Sequence, residues 1–407
     1  MKSAMTKIVA AISYIFLIFI PSVVLGDLRT DILRNAAKEF IYNTVPFETR
    51  TDVKKVKLGE KLFNDKNLSL NGDIACASCH IDKFGSADGL PNSIGVGGKG
   101  VGVERIKSGG VIVPRNSLPL WGRAEEDFKV FFWDGKVEKR EDTLISQFGR
   151  QSPSTNPLIV AIHLPFVELR EMIIDTDVVN TTLKSETVES ASKIYYTLLE
   201  RINNNQNYRS AFIDAYNIKP SELEFIHIAD SNAQFIQDKF RIRASKFENF
   251  VTRKSNLSSS EIQGGLIFFG KGKCVSCHNG KHYSDFEFHA IPFPQIGFGK
   301  NGFGVDYGRF NVTHDPKDLY KFRTPPLTNV ENTAPYGHSG SAQTLKEAII
   351  YHIDPLRLLK TQQMSAIERN EYYRKLLASN NILLKTSFLD DNEIHQLVQF
   401  LKTLSFD

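Results

Sequence analysis

The residues of this sequence with the clearest chemistry are its cysteines, because all four stand in one repeated spacing. Two residues separate the cysteines of each pair and a histidine follows directly, in Cys76-Ala-Ser-Cys79-His80 and Cys274-Val-Ser-Cys277-His278. A Cys-x-x-Cys-His pattern is typical of covalent haem attachment, in which both thiols form thioether bonds to the porphyrin and the histidine binds iron. The sequence therefore predicts two c-type haems, with His80 and His278 as the proximal iron ligands.

Other uses of paired cysteines agree less well with this spacing. Structural disulfides persist in exported proteins, but two Cys-x-x-Cys pairs that are each followed by histidine make a poor disulfide framework. A zinc ribbon also uses two such pairs, yet it needs them close together, and Cys79 and Cys274 are far apart in the sequence. Zinc binding and redox-active dithiols remain the alternatives to haem.

The residue on the opposite side of each iron decides between electron transfer and the binding of a small molecule. Methionine is a common second ligand in cytochromes, and Met172 and Met364 are the only methionines after the N-terminal segment. His352 is a further candidate, because it shares one stripe of a predicted helix with Leu345 and Ile349. On such a buried face the imidazole is either an iron ligand or a core histidine that is hydrogen-bonded to backbone.

The first haem site lacks a comparable ligand, since no histidine or methionine occurs between His80 and His163. This favours an iron that is open on one side and able to bind a molecule such as peroxide. Glu168 and Glu171 follow an apolar run and are candidates for proton transfer at that iron. A solvated helix face is the simpler explanation of these two acidic residues.

The elements that must position these residues are mostly helical. Apolar residues recur at three- and four-residue spacing over Ser190 to Ile202, Tyr208 to Tyr216 and Asp230 to Phe250. Thr344 with Glu347, and Asp390 with Glu393, have the form of capping boxes that open two later helices. Strand signals are sparse, and long glycine-rich loops follow both haem sites. The sequence therefore predicts a mainly α-helical fold with long loops and few strands.

Two haem sites in a chain of 407 residues predict two cytochrome-c-like haem domains. We expect the N-terminal haem domain over 27–166 and the C-terminal haem domain over 256–407. A helical connecting segment over 167–255 is expected to pack on both. The composition, with 41% hydrophobic and 24% charged residues and a net charge of +4, is that of an ordinary globular protein, and it gives no reason to expect a nucleic-acid partner.

Residues 1–26 have the pattern of an export signal. Lys2 and Lys7 precede an apolar stretch that has no charged residue and ends near Gly26. The stretch is of borderline length for a membrane span, but Pro21 interrupts it and the small Gly26 suits a cleavage site. These features favour a cleaved signal over a retained membrane anchor.

Taken together, the motifs resemble those of the bacterial di-haem cytochrome c peroxidases, a family that includes the MauG-like enzymes. The resemblance covers nearly all of the chain after the predicted signal. Besides the two haem sites, the segments that carry it are Asp88-Gly89, Pro114-Arg-Asn-Ser117, Phe132-Trp-Asp-Gly135, Glu171-Met172, Phe322-Arg-Thr-Pro325, Thr333-Ala-Pro-Tyr336-Gly-His338-Ser-Gly340 and Thr344-Leu345. A single short segment would be a weak signal, whereas the set is highly specific.

The resemblance implies a peroxidase in which hydrogen peroxide reacts at the N-terminal haem and electrons enter through the C-terminal haem. Trp133, for which buried packing is the default role, matches the family's tryptophan between the haems, and Glu171 matches the catalytic acid beside the peroxide site. Asn116, Thr333 and Pro335 match positions that bind a calcium ion between the domains, the last two through backbone carbonyls. The family further implies a periplasmic location, a homodimer, and a small c-type cytochrome or similar electron donor.

Three departures from the family pattern bear on function. Val96 and its neighbours stand where peroxidases that need reductive activation have a distal histidine, so we expect the first haem to be open. His352 stands at the spacing from His338 where the family has methionine or, in MauG-like enzymes, tyrosine. Imidazole in place of methionine should lower the potential of the second haem. Gln147 is the nearest candidate for the family's catalytic glutamine, with an insertion before it.

Three functions follow from these features. The first is a periplasmic peroxidase that reduces hydrogen peroxide with electrons from a c-type cytochrome, with Glu171 as the proton shuttle. The second is a MauG-like enzyme that uses peroxide to oxidise a partner protein or an organic substrate, which the departures at Val96 and His352 favour. The third is a di-haem electron carrier without catalysis, which requires a second ligand at both irons.

Overall fold

A computed structural model of the chain describes residues 22–41, 50–173, 187–379 and 388–406. Most of the predicted export signal lies outside the described residues, and its last residues open the first helix. The described helices are α1 Ser22–Phe40, α2 Val53–Asn64, α3 Val103–Lys107, α4 Pro157–His163, α5 Val188–Asn203, α6 Gln206–Tyr216, α7 Phe225–Lys239, α8 Lys246–Val251, α9 Ser259–Phe269, α10 Phe310–Thr313, α11 Leu345–Ile353, α12 Ala366–Ala378 and α13 Asp391–Lys402.

The strands of the described residues are short and lie in three small antiparallel sheets. β1, β2 and β3 form a three-stranded sheet, whereas β4 pairs with β7 and β5 pairs with β6. Their bounds are β1 Val130–Phe131, β2 Val137–Arg140, β3 Thr143–Ser146, β4 Phe288–His289, β5 Phe298–Gly299, β6 Gly302–Phe303 and β7 Phe322–Arg323. The prediction of a mainly helical fold with few strands is confirmed. Across the described ranges, no helix combines the length and the apolar character that a membrane span requires.

The first of two packing units, which contains the Cys76–His80 motif, is built around the crossing of α2 and α7. A Cβ atom at Gly59 would lie only 1.9 Å from the carbonyl oxygen of Ser231, so glycine is required where the two helices touch. Leu62, Phe63 and Phe235 are buried around this crossing. Further apolar side chains from α5, α6 and α7 extend the core, among them Ile194, Leu198, Phe212 and Ile228.

The second haem unit repeats this arrangement with α9 and α13. A Cβ atom at Gly264 would lie 1.9 Å from the carbonyl oxygen of Gln396. Phe268 and Phe400 are fully buried beside the crossing, with ring centroids 5.2 Å apart. The same core receives side chains from α1 and α8, namely Leu33, Ala37, Phe247 and Phe250.

The observed packing of the helices differs from the predicted domain boundaries. Helix α1, predicted to belong to the first haem domain, packs in the core of the second unit. The region predicted as a connecting segment divides, because its helices up to α7 complete the first unit whereas α8 joins the second. The helix predicted over Asp230 to Phe250 is accordingly two helices. The chain turns between them at Phe240, whose carbonyl accepts a hydrogen bond from Gly122 N at 2.8 Å.

A buried ion network joins the two units. Arg115 of the first unit donates from Nε and Nη2 to both carboxylate oxygens of Asp306 in the second, at 2.8 and 2.9 Å. Its Nη1 donates to Asp134 at 2.6 Å. Both carboxylates are almost fully buried, so the network is a fixed feature of this contact.

Candidate functional site

Both cysteine motifs begin in the same local structure. Cys76–Ser78 and Cys274–Ser276 each form a single 3-10 turn, and the following histidine donates its backbone N–H to the first cysteine's carbonyl at 3.0 and 2.9 Å. None of the four thiols forms a disulfide. Both pairs therefore remain available for thioether bonds to a porphyrin.

The two proximal histidines are held alike. Nδ1 of His80 lies 2.9 Å from the carbonyl oxygen of Ser86, and Nδ1 of His278 lies 2.9 Å from that of Tyr283. A carbonyl can only accept, so each Nδ1 carries the proton and Nε2 is left to bind iron. Burial lowers the pKa of both imidazoles to about 4. The rings are thus neutral at physiological pH, the form that binds a metal.

His352 faces the proximal histidine of the second unit. The ring centroids of His278 and His352 are 6.4 Å apart, which leaves room for one metal ion bonded to each imidazole at about 2 Å. Nδ1 of His352 lies 2.7 Å from the carbonyl oxygen of Ala348, so a metal would be bound by Nε2. The predicted capping box at Thr344 opens α11, and Ile349 on the same stripe is buried, as predicted.

The first cysteine motif opens instead into a cleft with about 1240 Å³ of space free of protein atoms, part of it open to solvent. Cys76, Cys79 and His80 line this cleft together with Trp133 and Glu171. Among the described residues of its lining, His80 is the only histidine, and methionine is absent. The structure therefore brings the predicted proton shuttle and the predicted tryptophan to the first haem site, and none of the described lining residues offers a second histidine or a methionine to the iron.

Val96 does not reach the cleft, because the glycine-rich loop presses against the segment that carries Glu171. A Cβ atom at Gly95 would lie 1.8 Å from the carbonyl oxygen of Arg170. Val96 donates its N–H to the same carbonyl at 3.2 Å and is fully buried in the core beside Met172. The residue at the position of the distal histidine thus packs as a hydrophobic side chain.

Two lysines that the sequence did not single out complete the cleft. Lys136 and Lys300 line it and approach the two oxygens of Glu168 at 2.7 and 3.1 Å. Burial opposes ionisation of Glu168, but the two ammonium groups hold its pKa well below the usual range. Burial, and then the negative charge of Glu168, raise the pKa of Glu171 to about 7. A carboxyl group with this pKa can accept and release a proton near neutral pH.

Trp133 lies where the cleft meets the second unit. Its ring is buried, and Nε1 donates to the carbonyl oxygen of Asn116 at 3.0 Å. Its own carbonyl accepts from Arg323 N in β7 at 2.8 Å. Gln147, in contrast, is exposed beyond the end of β3 and does not line the cleft. The prediction of a catalytic Gln147 is therefore unsupported, because the chain after Trp133 forms the β2–β3 hairpin and carries Gln147 to the surface.

The residues predicted to bind calcium lie at the contact between the units. Asn116 donates its backbone N–H to the carbonyl oxygen of His338 at 2.9 Å and its side chain to Leu90 at 2.8 Å. Thr333 packs on the first unit, since a Cβ atom at Gly85 would lie 2.8 Å from its methyl group. Pro335, two residues further on, follows a cis peptide bond.

Two buried arginines provide an independent test of whether haem fits these sites. Arg123 lines the cleft, and burial lowers the pKa of its guanidinium to about 9. Nη2 of Arg323 is buried without a hydrogen-bond partner among the described residues. No described acidic side chain forms an ion pair with either guanidinium, and an uncompensated buried charge is costly. Haem carries two propionate carboxylates that would neutralise such charges, so the residues present suit the cofactor.

Two attachment turns, each followed by a neutral histidine, define a c-type protein with two haems. Comparison with known proteins agrees. Residues 53–256, half of the chain, match the family model for di-haem cytochrome c peroxidase. The chain belongs to this family, which confirms the predicted resemblance and makes it a haem-containing oxidoreductase that acts on peroxide.

Individual relatives are distant. The chain is 28% identical to cytochrome c peroxidase Ccp of Escherichia coli K12 over 75% of its length, and this match spans about half (54%) of that protein. It is 26% identical to cytochrome c551 peroxidase of Nitrosomonas europaea, covering 86% of this chain and 80% of that one. A solved MauG-like protein associated with microbial copper homeostasis has the same fold, with a TM-score of 0.63 at 24% identity over 89% of this chain and 92% of that one.

Proposed function

We propose that the protein is a periplasmic peroxidase that reduces hydrogen peroxide to water at its first haem, with electrons that enter through the second haem from a small c-type cytochrome or similar donor. The observation that carries the proposal is the cleft beside His80, which has no second iron ligand in its described lining and is lined by the partly exposed Glu171. An electron carrier without catalysis would need both irons capped, and this cleft speaks against it.

When bound, the haems supply the electron transfer and the binding of peroxide to iron. The protein's own contribution begins with Glu171. As a carboxylate it takes a proton from the near oxygen of hydrogen peroxide, and as an acid it returns that proton to the far oxygen, which leaves as water. Its pKa of about 7 suits both steps, since neither protonation state is strongly preferred at neutral pH.

The charged residues around the cleft keep Glu171 available for proton transfer. Lys136 and Lys300 neutralise Glu168, whose charge acts on Glu171, so that this carboxylate stays paired and does not compete for the proton. Arg123 is positioned to bind a propionate of the first haem.

Trp133 is the proposed relay between the two haems. Its ring lines the first cleft while its backbone is bonded to β7 of the second unit, so one residue touches both sides of the contact. His278 and His352 are the proposed axial ligands of the second haem, which would then serve electron transfer only.

The first test is the low-temperature electron paramagnetic resonance spectrum of the oxidised, haem-loaded protein. We expect one high-spin ferric signal from the open first haem and one low-spin signal with bis-histidine character from the second. Two low-spin signals would contradict the open site in the protein as isolated. A steady-state assay with hydrogen peroxide and reduced cytochrome c then tests turnover directly.

A second candidate function has one observation in its favour. His352, where the peroxidases have methionine, would give the second haem a lower potential, which suits oxidation of a substrate more than acceptance of electrons from a high-potential cytochrome. The protein would then use peroxide to oxidise a partner protein or an organic substrate, in the manner of the MauG-like enzymes. Rapid steady turnover with reduced cytochrome c would count against this function.

We further propose a calcium ion at the contact between the units, held by Asn116 and by the backbone carbonyls of Thr333 and Pro335. The support is that Asn116 and the 333–338 segment meet there, and oxygen ligands are those that calcium prefers. Exhaustive chelation should lower the melting temperature of the holoprotein, and added calcium should restore it. A homodimer is proposed on family grounds and is checked by sedimentation analysis.

A further inference from the structure

The ion cluster beside Glu171 takes side chains from both haem units. Lys136 stands in the first unit, three residues after Trp133, and its ammonium group lies 2.7 Å from one oxygen of Glu168. Lys300 stands in the turn between β5 and β6 of the second unit, and its ammonium group lies 3.1 Å from the other oxygen. The carboxylate is therefore held from both sides of the contact between the units.

The turn that carries Lys300 is itself fixed by this contact. A Cβ atom at Gly299 would lie 2.0 Å from the carbonyl oxygen of Val305, so the hairpin is closed tightly on itself. The next residue after Val305 is Asp306, which is fully buried and accepts hydrogen bonds from Nε and Nη2 of Arg115. The position of Lys300 in the first cleft thus depends on how the second unit docks against the first.

We infer that Lys300 is a positioning residue of the peroxide site, which acts on proton transfer by Glu171 through Glu168 and Lys136. The inference rests on the proposed role of Glu171 and deepens it. The second unit would supply the first haem with electrons and also with one of the charges that set its acid–base chemistry.

The charges that face Glu171 have opposite effects on its pKa. Burial is the largest influence and raises the pKa, and the negative charge of Glu168 raises it further. Lys136 and Lys300 lower it. Beside this cluster, Asp134 raises the pKa of Lys300 and Arg115, which is paired with Asp134 and Asp306, lowers it. The two cysteines of the first motif also face this carboxyl group, but they are uncharged thioethers in the haem-loaded protein.

These signs make the inference testable in the haem-loaded, full-length protein. Because activity requires the carboxylate form of Glu171, kcat/KM for hydrogen peroxide should fall on the acid side of its pKa. In Lys300→Met this acid limb should move to higher pH by about one unit, since a nearby positive charge has been removed. In Glu168→Gln it should move in the opposite direction. If Lys300 and Glu168 had only structural roles, their replacement would not move the acid limb in opposite directions.

Two further variants and one spectroscopic readout complete the design. Lys300→Arg should restore the wild-type limb, and Lys317→Met, at an exposed position of the second unit, should leave it unmoved. The carboxyl stretching band that is absent in Glu171→Gln, followed by difference infrared titration, should move with the kinetic limb. If Lys300→Met does not retain both haems, Lys300→Gln provides the same comparison.

The outcomes separate the inference from the proposed function. An unmoved limb in Lys300→Met, or a shift of the same sign in Lys300→Met and Glu168→Gln, overturns the role of Lys300 while an inactive Glu171→Gln still supports the proposed shuttle. Full activity of Glu171→Gln would remove the shuttle, and the role of Lys300 would fall with it.

Discussion

The two haem units share one frame and differ in what stands opposite the proximal histidine. In each unit a glycine allows two helices to cross in contact with a backbone carbonyl, and a 3-10 turn presents the two cysteines. Each proximal imidazole donates to a backbone carbonyl from Nδ1. On the other side, α11 brings His352 towards His278 in the second unit, whereas the first unit has a cleft with Glu171.

This difference indicates that the crossing helices and attachment turns hold the haem, whereas the loops determine whether it binds peroxide or only transfers electrons. The crossing helices and attachment turns do not distinguish an electron-transfer site from a peroxide site. His352 comes from a helix that follows the long second loop, and Lys300 comes from within that loop. Lys136 comes from the turn between β1 and β2, and Glu171 comes from the loop after α4. Both functions thus depend on segments outside the shared frame.

The largest effect should follow from removing the shuttle in the first unit. Glu171→Gln keeps the shape of the side chain but cannot take a proton, so we expect turnover to fall by about 100-fold or more with both haems retained. Peroxide assays and a pyridine haemochrome measurement check the two parts. Glu189→Gln, on the exposed face of α5, is the matched control. Turnover near that of the wild type would show that Glu171 takes no part.

The contact between the crossing helices can be disrupted at one glycine in each unit. Gly59→Ala and Gly264→Ala each place a methyl group within 1.9 Å of a backbone carbonyl, which the crossing helices can accept only by moving apart. We expect each change to lower the free energy of unfolding by about 1–3 kcal/mol, measured by chemical denaturation. Lys61→Ala and Ser259→Ala, at exposed positions of the same helices, are the controls.

The two glycine variants should also differ in which haem they disturb. Gly59→Ala should perturb the spectrum of the first haem and Gly264→Ala that of the second, because each crossing packs against its own attachment turn. Equal disturbance of both haems by either variant would mean that the units do not fold around separate crossings.

Much of the frame was predictable from the sequence, because it rests on local patterns. The cysteine spacing predicted both attachment turns, and the helical stripe placed His352 correctly on a buried face. The repeated crossing also has a signal in the sequence. Gly59 and Gly264 are both followed, three and four residues later, by an aliphatic residue and a phenylalanine. This spacing puts the aromatic ring beside the glycine on the same helix face.

The rest depends on contacts between distant segments, for which the sequence has no local signal. Nothing around Lys300 indicates that its ammonium group enters the cleft of the other unit. The exposed position of Gln147 follows from a hairpin whose short strands were not recognisable as such. Helix α1 precedes the first cysteine motif in the chain, and its position therefore predicts that it belongs to the first unit. Its apolar residues pack instead in the core of the second unit.

A smaller effect should follow from pH. Burial and the charge of Glu168 raise the pKa of Glu171 to about 7, so the carboxylate is present above this pH and lost below it. Peroxidase activity should therefore fall as the pH drops through 7, to about a tenth of its plateau one unit lower. The spectrum of the second haem, whose proposed ligands are both imidazoles, should stay unchanged over the same range. A flat activity profile between pH 5.5 and 8 would contradict this assignment.

The smallest effect on turnover should come from exchanging the ligand in the second unit. Methionine at position 352 would replace imidazole by thioether, which raises the potential of a haem. We expect His352→Met to raise the potential of the second haem only and to remove its bis-histidine resonance signal, as measured by spectroelectrochemical titration and paramagnetic resonance. His314→Met, an exposed exchange of the same two residues, is the control. Since the peroxide cleft is untouched, the high-spin signal of the first haem should persist, and its loss would mean that the two units are more tightly coupled than their separate cores imply.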